Sequence, residues 1–365
     1  MNSLAESQSH GTMKVFHFFL RAARAAPLYV MLYRSAMNLR LRVVAVLLFV
    51  FPVCVIAGPI PKELIGDWSL DIESGEAGWL RVAENNGEPE VSMLVNVGSI
   101  KPLKGIEFRD GVIYVPLKTH RQGKNGPIIS TNRAEVRLDD GEVKGEIVTT
   151  FPDGKMIADP FTGKSIPPMP PAPDLSKVEF GKPTVLLNGA DLSGWELRRP
   201  EKLKGWSVED GVLVNSTPKT DFSATGAYGN LRSTEVFGDG KLHIEFLIEP
   251  DRNSGIYVRG MYEAQVVDRD SRMQGLQGVG SIFGLVERSE NPAKPGGEWQ
   301  TYDITLVDRH ITVLLNGVKT IDNQPVSGPT AGAMHTDPMT PGPLYLQGDH
   351  TSVKYRNIEF TPVTE

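Results

Sequence analysis

Short runs in which apolar and polar residues alternate occupy most of the chain after residue 60. The stretch "KLHIEFLIEP", residues 241–250, places apolar side chains on one side and His243 and Glu245 on the other. A period of two is typical of half-buried β-strands, because successive side chains point to opposite faces. Gly, Asp, Asn and Pro separate the runs, and helical periodicity is almost absent. The pattern predicts an all-β protein built of sandwiches or barrels.

A proline-rich segment, residues 163–183, divides these runs into two groups. Its six prolines favour extended polyproline geometry and a semi-rigid linker. Residues 58–162 predict a small all-β barrel or sandwich, which is at most lipocalin-like through the Gly-Asp-Trp of residues 66–68. Residues 184–363 predict a second, larger β-sandwich domain.

Residues 1–57 have the composition of a leader and signal peptide. The apolar run "VVAVLLFVFPVCVIA" follows Arg40 and Arg42 and ends at Ala57. A basic segment, a short apolar run and a small terminal residue define a secretory signal. The fifteen residues of this run are fewer than the roughly 20 that a spanning helix needs, although an uncleaved anchor is the alternative. We therefore predict cleavage near Ala57 and a secreted or periplasmic protein with no membrane span in the mature chain.

Charge and cysteine content narrow the chemistry of the mature chain. The 365-residue protein has a formal charge of −6, and the leader holds six Lys and Arg against one Glu, so the remainder is at −11. An acidic body argues against nucleic acid as a partner. The single cysteine, Cys54, lies inside the leader. The mature chain therefore offers no disulfide, cysteine nucleophile or zinc–thiolate site.

Three strands of the second domain place polar residues at positions of the same parity: His243 and Glu245 in "LHIEF", Tyr257 and Arg259 in "IYVR", and Glu263 and Gln265 in "YEAQV". If the strands are neighbours in one sheet, these side chains form a single polar patch above an apolar core. The alternative is an ordinary solvated face crossed by ion pairs, each worth less than about 1 kcal/mol.

A second polar group ends the strand in "GPLYLQGDH". Gln347, Asp349 and His350 lie at the strand end, where Gly348 lets the chain bend, and Arg356 follows in "YRNI". A histidine beside a carboxylate can be held in one tautomer and act as a general base. Arg356 has an equal claim to a structural role, in which it ties the last strand to its neighbour.

Six motifs, in order, make residues 185–362 similar to the 3-keto-disaccharide hydrolase family. They are "LLNGADLSGW", "NSGIYVRG", "YEAQVVD", "EWQTYDITL", "LLNG" and "LQGDHTSVKYRNIEF". The resemblance implies a concanavalin A-like (lectin/glucanase) jelly-roll β-sandwich, with two large antiparallel sheets and a curved face suited to sugars. It also implies an exported hydrolase or lyase that acts on glycosides already oxidised at C3.

The chemistry implied by the resemblance starts from the C3 ketone, which acidifies the hydrogen on C2. A base removes that proton, the C1 group departs by elimination, and water adds back. Such a route needs one positioned base and stabilisation of the enolate oxygen. We expect His350, oriented by Asp349, as the base, Glu263 as the second candidate base, and Arg259 as the enolate clamp. The expected substrate-binding side chains are Gln265, Gln347, Tyr257, Glu245, His243 and Arg356.

Other readings stay open on the sequence. Glu245 and Glu263 could serve as the two carboxylates of an ordinary glycosidase. A non-catalytic carbohydrate-binding module of the cell envelope is the main alternative, because fold does not fix function, and an architectural adhesin is a third. The expected partner is a small carbohydrate or glycoside. No cofactor is identified, although Asp268 and Asp349 could hold a divalent cation outside any established motif.

Overall fold

The structure, a computed structural model, describes residues 60–85, 88–96, 100–117, 120–123, 126–218 and 227–364, with the backbone alone at residues 88, 120–123 and 126–129. The predicted leader with Cys54 lies outside these residues. Contacts divide the chain between residues 54 and 55, and all described residues fall in the second unit. The regular secondary structure of the described residues is almost all β-strand, with two single-turn 3-10 helices at Lys62–Leu64 and Gly275–Gln277. None of the helices described is long and apolar enough to cross a membrane.

The N-terminal half forms an antiparallel sheet that curls around its own core. Its strands are β1 (Gly66–Ile72), β2 (Ala77–Asn85), β3 (Glu88–Val95), β4 (Glu107–Arg109), β5 (Val112–Leu117), β6 (His120–Gly123), β7 (Gly126–Ile129), β8 (Thr131–Asp139), β9 (Glu142–Thr150) and β10 (Met156–Ile166). Eight of them follow the order β3-β2-β1-β10-β9-β8-β5-β4, while β6 and β7 form a separate ribbon. Leu103, in the connection before β4, donates its backbone N–H to the carbonyl of Val91 on the far edge strand, which draws the two edges together.

The C-terminal half forms two antiparallel sheets. Its strands are β11 (Thr184–Val185), β12 (Trp195–Leu197), β13 (Trp206–Glu209), β14 (Val212–Asn215), β15 (Leu231–Phe237), β16 (Gly240–Leu247), β17 (Asn253–Val258), β18 (Tyr262–Val267), β19 (Trp299–Val307), β20 (His310–Leu315), β21 (Val318–Pro325), β22 (Gly342–Leu346) and β23 (Val353–Pro362). One sheet has the order β13-β14-β23-β16-β19-β20-β21 with β11 beside β23, and the other has the order β12-β15-β22-β17-β18.

The core of the C-terminal half lies between these two sheets. Phe246 on β16, Ile256 on β17 and Ala264 on β18 all belong to one buried apolar cluster that both sheets contribute to. Alternation along each strand leaves the remaining side chains on one of two outer faces. The arrangement confirms the predicted concanavalin A-like jelly-roll β-sandwich with a smaller, curled β-domain before it.

The predicted linker is fastened to its surroundings. Its first four residues, 163–166, form the end of β10. Further along, the carbonyls of Pro167 and Pro173 accept hydrogen bonds from Arg309 at 2.7 Å and Asn323 at 2.9 Å, both in the sandwich. The proline-rich segment therefore runs along the sandwich, and the predicted domain boundaries stay a prediction.

Candidate active site

A row of three side chains crosses the five-stranded sheet on its outer face. Tyr345 on β22 pairs with Tyr257 on β17, which pairs with Glu263 on β18. Their neighbours Ile256 and Leu346 point into the sandwich core, so the row faces the opposite way. Side chains directly opposite each other on antiparallel strands are close enough to interact. The rings of Tyr257 and Tyr345 have centroids 4.6 Å apart.

Glu263 carries a carboxyl group withdrawn from water, with only 4% of the residue exposed. Burial raises its pKa to about 8, interaction with the Tyr257 hydroxyl offsets part of the rise, and the charge of Asp349 adds to it. Gly255 makes room for this side chain, because a Cβ at that position would lie 2.2 Å from Glu263 Oε1. The carboxyl is therefore protonated at neutral pH and can donate a proton.

A histidine–carboxylate pair follows the end of β22. His350 Nδ1 lies 2.7 Å from Asp349 Oδ1, with 20% and 21% of the two side chains exposed. When the carboxylate accepts the Nδ1 proton, Nε2 is left as the basic nitrogen. Asn230 fixes the bend, since its Oδ1 accepts the backbone N–H groups of Gly348 and Asp349. The structure thus brings the two residues together in the geometry of a base and its orienting carboxylate.

The hydroxyl oxygen of Tyr345 accepts two hydrogen bonds. Asn230 Nδ2 donates to it at 2.6 Å and Arg198 Nη1 at 3.3 Å. The guanidinium of Arg198 also lies over the ring, 5.4 Å from its centroid. Burial raises the pKa of Tyr345 to about 12, and the charge of Arg198 acts against this rise. The hydroxyl therefore keeps its own proton, which it can donate to a ligand.

Gln265 and Gln347 extend the same face by one row. Gly255 stands between them, because it pairs with Gln265 and its carbonyl accepts the N–H of Gln347 at 2.9 Å. Gln265 Nε2 donates to the carbonyl of Gln277 at 3.1 Å. The Oε1 atoms of Gln265 and Gln347 are buried without a hydrogen-bond partner among the described residues. The two amides therefore lie on the same outer face as Glu263, and their role in substrate binding stays a prediction.

Arg259 does not join this cluster, which corrects its expected role as the enolate clamp. Its Nη2 contacts Asp239 Oδ1 at 2.5 Å, and its Nη1 donates to the carbonyl of Pro338 at 2.8 Å. Arg259 lies after the end of β17, in the turn to β18, with φ of 55°. Strand alternation no longer applies there. The guanidinium is therefore committed to a buried ion pair away from Glu263.

His243 and Glu245 lie on the other sheet beside Arg356, which corrects the expectation that His243 and Glu245 share one patch with β17 and β18. His243 Nδ1 lies 2.7 Å from Asp303 Oδ1, and Arg356 Nε donates to Glu245 Oε2 at 2.8 Å. Partial burial acts to raise the pKa of Glu245, but hydrogen bonds from Asn357 and Arg356 lower it overall. The outer face of this second sheet is therefore an ordinary solvated surface crossed by ion pairs, which is the alternative that the sequence left open.

Asp268 has a local structural contact. Its Oδ2 accepts the backbone N–H of Asp251 at 3.1 Å, next to the start of β17. Among the residues that the structure describes, no group of three or more His, Cys, Asp or Glu side chains is arranged to hold a metal ion. The divalent cation stays a prediction.

Three members of the cluster, Tyr345, Asn230 and Arg198, are absent from the sequence prediction. Tyr345 shares the parity of Gln347 in "PLYLQ", so extending the alternation by one step identifies it. Asn230 directly precedes β15 and Arg198 directly follows β12. No local pattern marks these two, because their place depends on which strands become neighbours.

The jelly-roll sandwich defines a domain of the concanavalin A-like class, with a polar cluster on one outer face. Residues 182–361 match the model of the 3-keto-alpha-glucoside-1,2-lyase-like domain family. This C-terminal half of the chain belongs to that family, which supports a carbohydrate-active, hydrolase-like function and a sugar as substrate.

Solved structures with a similar sandwich cover about half of the chain. One candidate glycosyl hydrolase from Parabacteroides distasonis is 22% identical and has a TM-score of 0.42, with 50% of this chain and 94% of that chain covered. A second from the same organism is 28% identical, with a TM-score of 0.40 and coverage of 54% and 93%. A β-glucanase of Bacillus licheniformis is 12% identical, with a TM-score of 0.31 and coverage of 50% and 98%. Among curated proteins, none matches.

Proposed function

We propose that the sandwich domain cleaves 3-keto-glycosides by base-assisted elimination followed by hydration. One observation supports the proposal: His350 Nδ1 lies 2.7 Å from Asp349, and the charge of Asp349 is close enough to the buried carboxyl of Glu263 to help raise its pKa. An imidazole held by a carboxylate can act as a general base, and a buried protonated carboxyl can act as a general acid. Membership of the 3-keto-alpha-glucoside-1,2-lyase-like family supports the substrate class.

His350 is the base of the proposed reaction. Its Nε2 takes the proton from C2 of the sugar, and Asp349 stabilises the imidazolium that forms. The electrons of the broken C–H bond move toward the C3 oxygen, where the Tyr345 hydroxyl donates a hydrogen bond to the enolate. Arg198 adds positive charge beside Tyr345 and so replaces Arg259 in that role.

Glu263 supplies the second proton. As the enolate collapses, the C1–O bond breaks, a C1=C2 double bond forms, and Glu263 protonates the departing oxygen. Water then adds its oxygen to C1 and gives a proton to the Glu263 carboxylate, while the His350 imidazolium returns a proton to C2. Both side chains regain their starting states, and the sequence of steps needs no redox partner.

We also propose that the protein is exported and that the leader is removed near Ala57. The basic residues, the short apolar run and the small residue at its end support this. Intact-mass analysis of the secreted form tests it, and a mature chain that retains Cys54 with a lipid attached would contradict it.

The catalytic proposal is tested by incubating the full mature chain with a panel of 3-keto-disaccharides in D2O, with and without a chelator. We expect release of the C1 leaving group and deuterium at C2 of the product sugar, which direct glycosidic hydrolysis does not introduce. Turnover that stops with the chelator and returns with a divalent cation would add a metal to the reaction. Saturable binding of sugars without any cleavage would overturn the proposal in favour of a carbohydrate-binding module.

A further inference from the structure

The connecting segment, residues 326–341 between β21 and β22, forms one wall of the candidate site. The hydroxyl of Tyr257 donates to the carbonyl of Ala331 at 2.8 Å. Arg198 Nη1 donates to the carbonyl of Gly332 at 3.0 Å. Two side chains of the candidate site are therefore held by backbone carbonyls of this segment.

The other side of the connecting segment is bonded to the N-terminal sheet. Thr336, 3% exposed, donates from Oγ1 to the carbonyl of Gly78 on β2 and lies 2.7 Å from Ser69 Oγ on β1. Asp337 forms an ion pair with Lys164 on β10 at 2.7 Å. Three adjacent strands of the N-terminal sheet thus hold the segment.

The backbone of Gly332 links the two sides directly. Its N–H donates to the carbonyl of Asn96, next to β3, at 2.6 Å, while its own carbonyl accepts from Arg198. Its φ is +79°, and a Cβ there would lie 2.8 Å from the Tyr257 hydroxyl oxygen. A shift of the N-terminal sheet is therefore transmitted to Tyr257 through the Ala331–Gly332 peptide unit and to Arg198 through the next peptide unit.

Apolar packing strengthens this contact. Trp79 on β2 is fully buried in a small cluster with Leu94 and Ile166, separate from the core inside the curled sheet. Gly328 of the connecting segment packs on this cluster, with its Cβ position 3.2 Å from the Trp79 ring. One face of β2 therefore packs on the core of the curled sheet and the other on the connecting segment. Burial of apolar side chains on both faces stabilises this contact.

We propose that the N-terminal sheet is a positioning element of the active site, which holds the connecting segment against Tyr257 and Arg198 through Thr336 and Gly332. The contacts stand by themselves, whereas the effect on turnover rests on the proposed function. A cavity of about 380 Å³ borders Thr336, so the segment has room to move once its hydrogen bonds are removed.

Movement of the segment has a consequence for Glu263. Thr330 of the segment accepts the backbone N–H of Glu263 at 2.9 Å. If the segment shifts, water reaches the carboxyl and its pKa falls toward the ordinary value of 4.5. The titratable groups that face it are Tyr257, Asp349 and Tyr355, and none of them is altered in the test.

The test compares full-length variants at one residue of the contact. Thr336→Val removes both hydroxyl contacts at constant shape, and Thr336→Ser restores them. Thr149→Val is the matched control, because it removes a buried hydroxyl from β9 of the same sheet, away from the segment. The readouts are kcat/KM on a 3-keto-disaccharide and the pKa of Glu263 from carboxyl carbon NMR.

We expect Thr336→Val to lower kcat/KM by about 10-fold to 100-fold and to lower the pKa of Glu263, with Thr336→Ser close to the wild type and Thr149→Val without effect on either. A folded Thr336→Val protein with an unchanged Glu263 pKa would overturn the inference. If the wild type cleaves no 3-keto-disaccharide, the proposed function fails. The pKa of Glu263 in Thr336→Val then tests by itself whether the N-terminal sheet positions the site. If Thr336→Val does not fold, Lys164→Ala, at an exposed position, takes its place as the test. We expect it to lower kcat/KM and the pKa of Glu263 by smaller amounts, and an unchanged pKa would overturn the inference.

Discussion

Replacement of Glu263 by Gln should stabilise the protein in alkaline solution. The folded state keeps a proton on Glu263 up to about pH 8, whereas the unfolded chain loses it near the ordinary pKa of 4.5. Between these two values the folded state binds more protons, so the free energy of unfolding falls as the pH rises. The stabilising contribution is fully present below pH 4.5 and is lost by about pH 8. Gln has the same shape and no charge, so the variant should lack this loss.

The size of the effect follows from the pKa rise. A shift from 4.5 to about 8, at 1.36 kcal/mol per unit, corresponds to about 5 kcal/mol. Relaxation and water entry reduce the penalty of a buried charge, so we expect a gain of a few kcal/mol for Glu263→Gln at pH 9 and little change at pH 5.

Urea unfolding followed by tryptophan fluorescence at pH 5, 7 and 9 measures this difference. Glu245→Gln is the control, because the pKa of Glu245 is lowered by Asn357 and Arg356 against partial burial. A carboxylate of that kind stabilises the fold above its unfolded pKa and loses this contribution as the pH falls, so its removal should not stabilise at pH 9. If the wild type is equally stable at pH 5 and 9, or if Glu263→Gln gains nothing at pH 9, the assignment of a neutral buried carboxyl is wrong.

Three further substitutions test the site. Asp349→Asn should lower kcat by about 100-fold or more with little loss of stability, because His350 loses the carboxylate that orients it; steady-state kinetics measure this, and unchanged kcat would exclude Asp349 as the group that orients the base. Gly255→Ala should destabilise the fold by about 1–3 kcal/mol, since the new Cβ meets Glu263 Oε1, and urea unfolding free energies would refute this if they matched the wild type. Arg259→Ala should cost roughly 3 kcal/mol of stability through its broken ion pair with Asp239, and urea unfolding free energies equal to those of the wild type would contradict the buried ion pair.

Strand alternation identifies which side chains avoid the core, but a sandwich has two outer faces. Tyr257, Glu263 and Gln265 are correctly predicted to face away from Ile256 and Ala264. The same reasoning correctly predicts that His243 and Glu245 on β16 face away from the core. However, β16 belongs to the other sheet, so these side chains lie on the opposite outer face of the sandwich. Which sheet a strand joins depends on pairings between distant parts of the chain, and the local period of two carries no information about them.

The parts of the site outside strands follow different rules. Arg259 keeps the apparent parity of its strand in the sequence, yet the turn to β18 starts at that residue and redirects its side chain to Asp239. Asn230 and Arg198 reach Tyr345 from separate strand ends. Loops place functional groups by long-range contacts, and a single sequence contains no local signal for such contacts.

Because the connecting segment is bonded to both halves of the chain, we expect the two halves to evolve together. An enzyme whose accessory domain hangs on a free linker can exchange that domain by gene fusion without loss of activity. Here Gly332 bonds to Asn96 on one side and Arg198 on the other, so an exchanged N-terminal domain would have to reproduce the same carbonyl at the same place. Substitutions around Trp79 and around the candidate site should therefore be selected together, as if both lay in one domain.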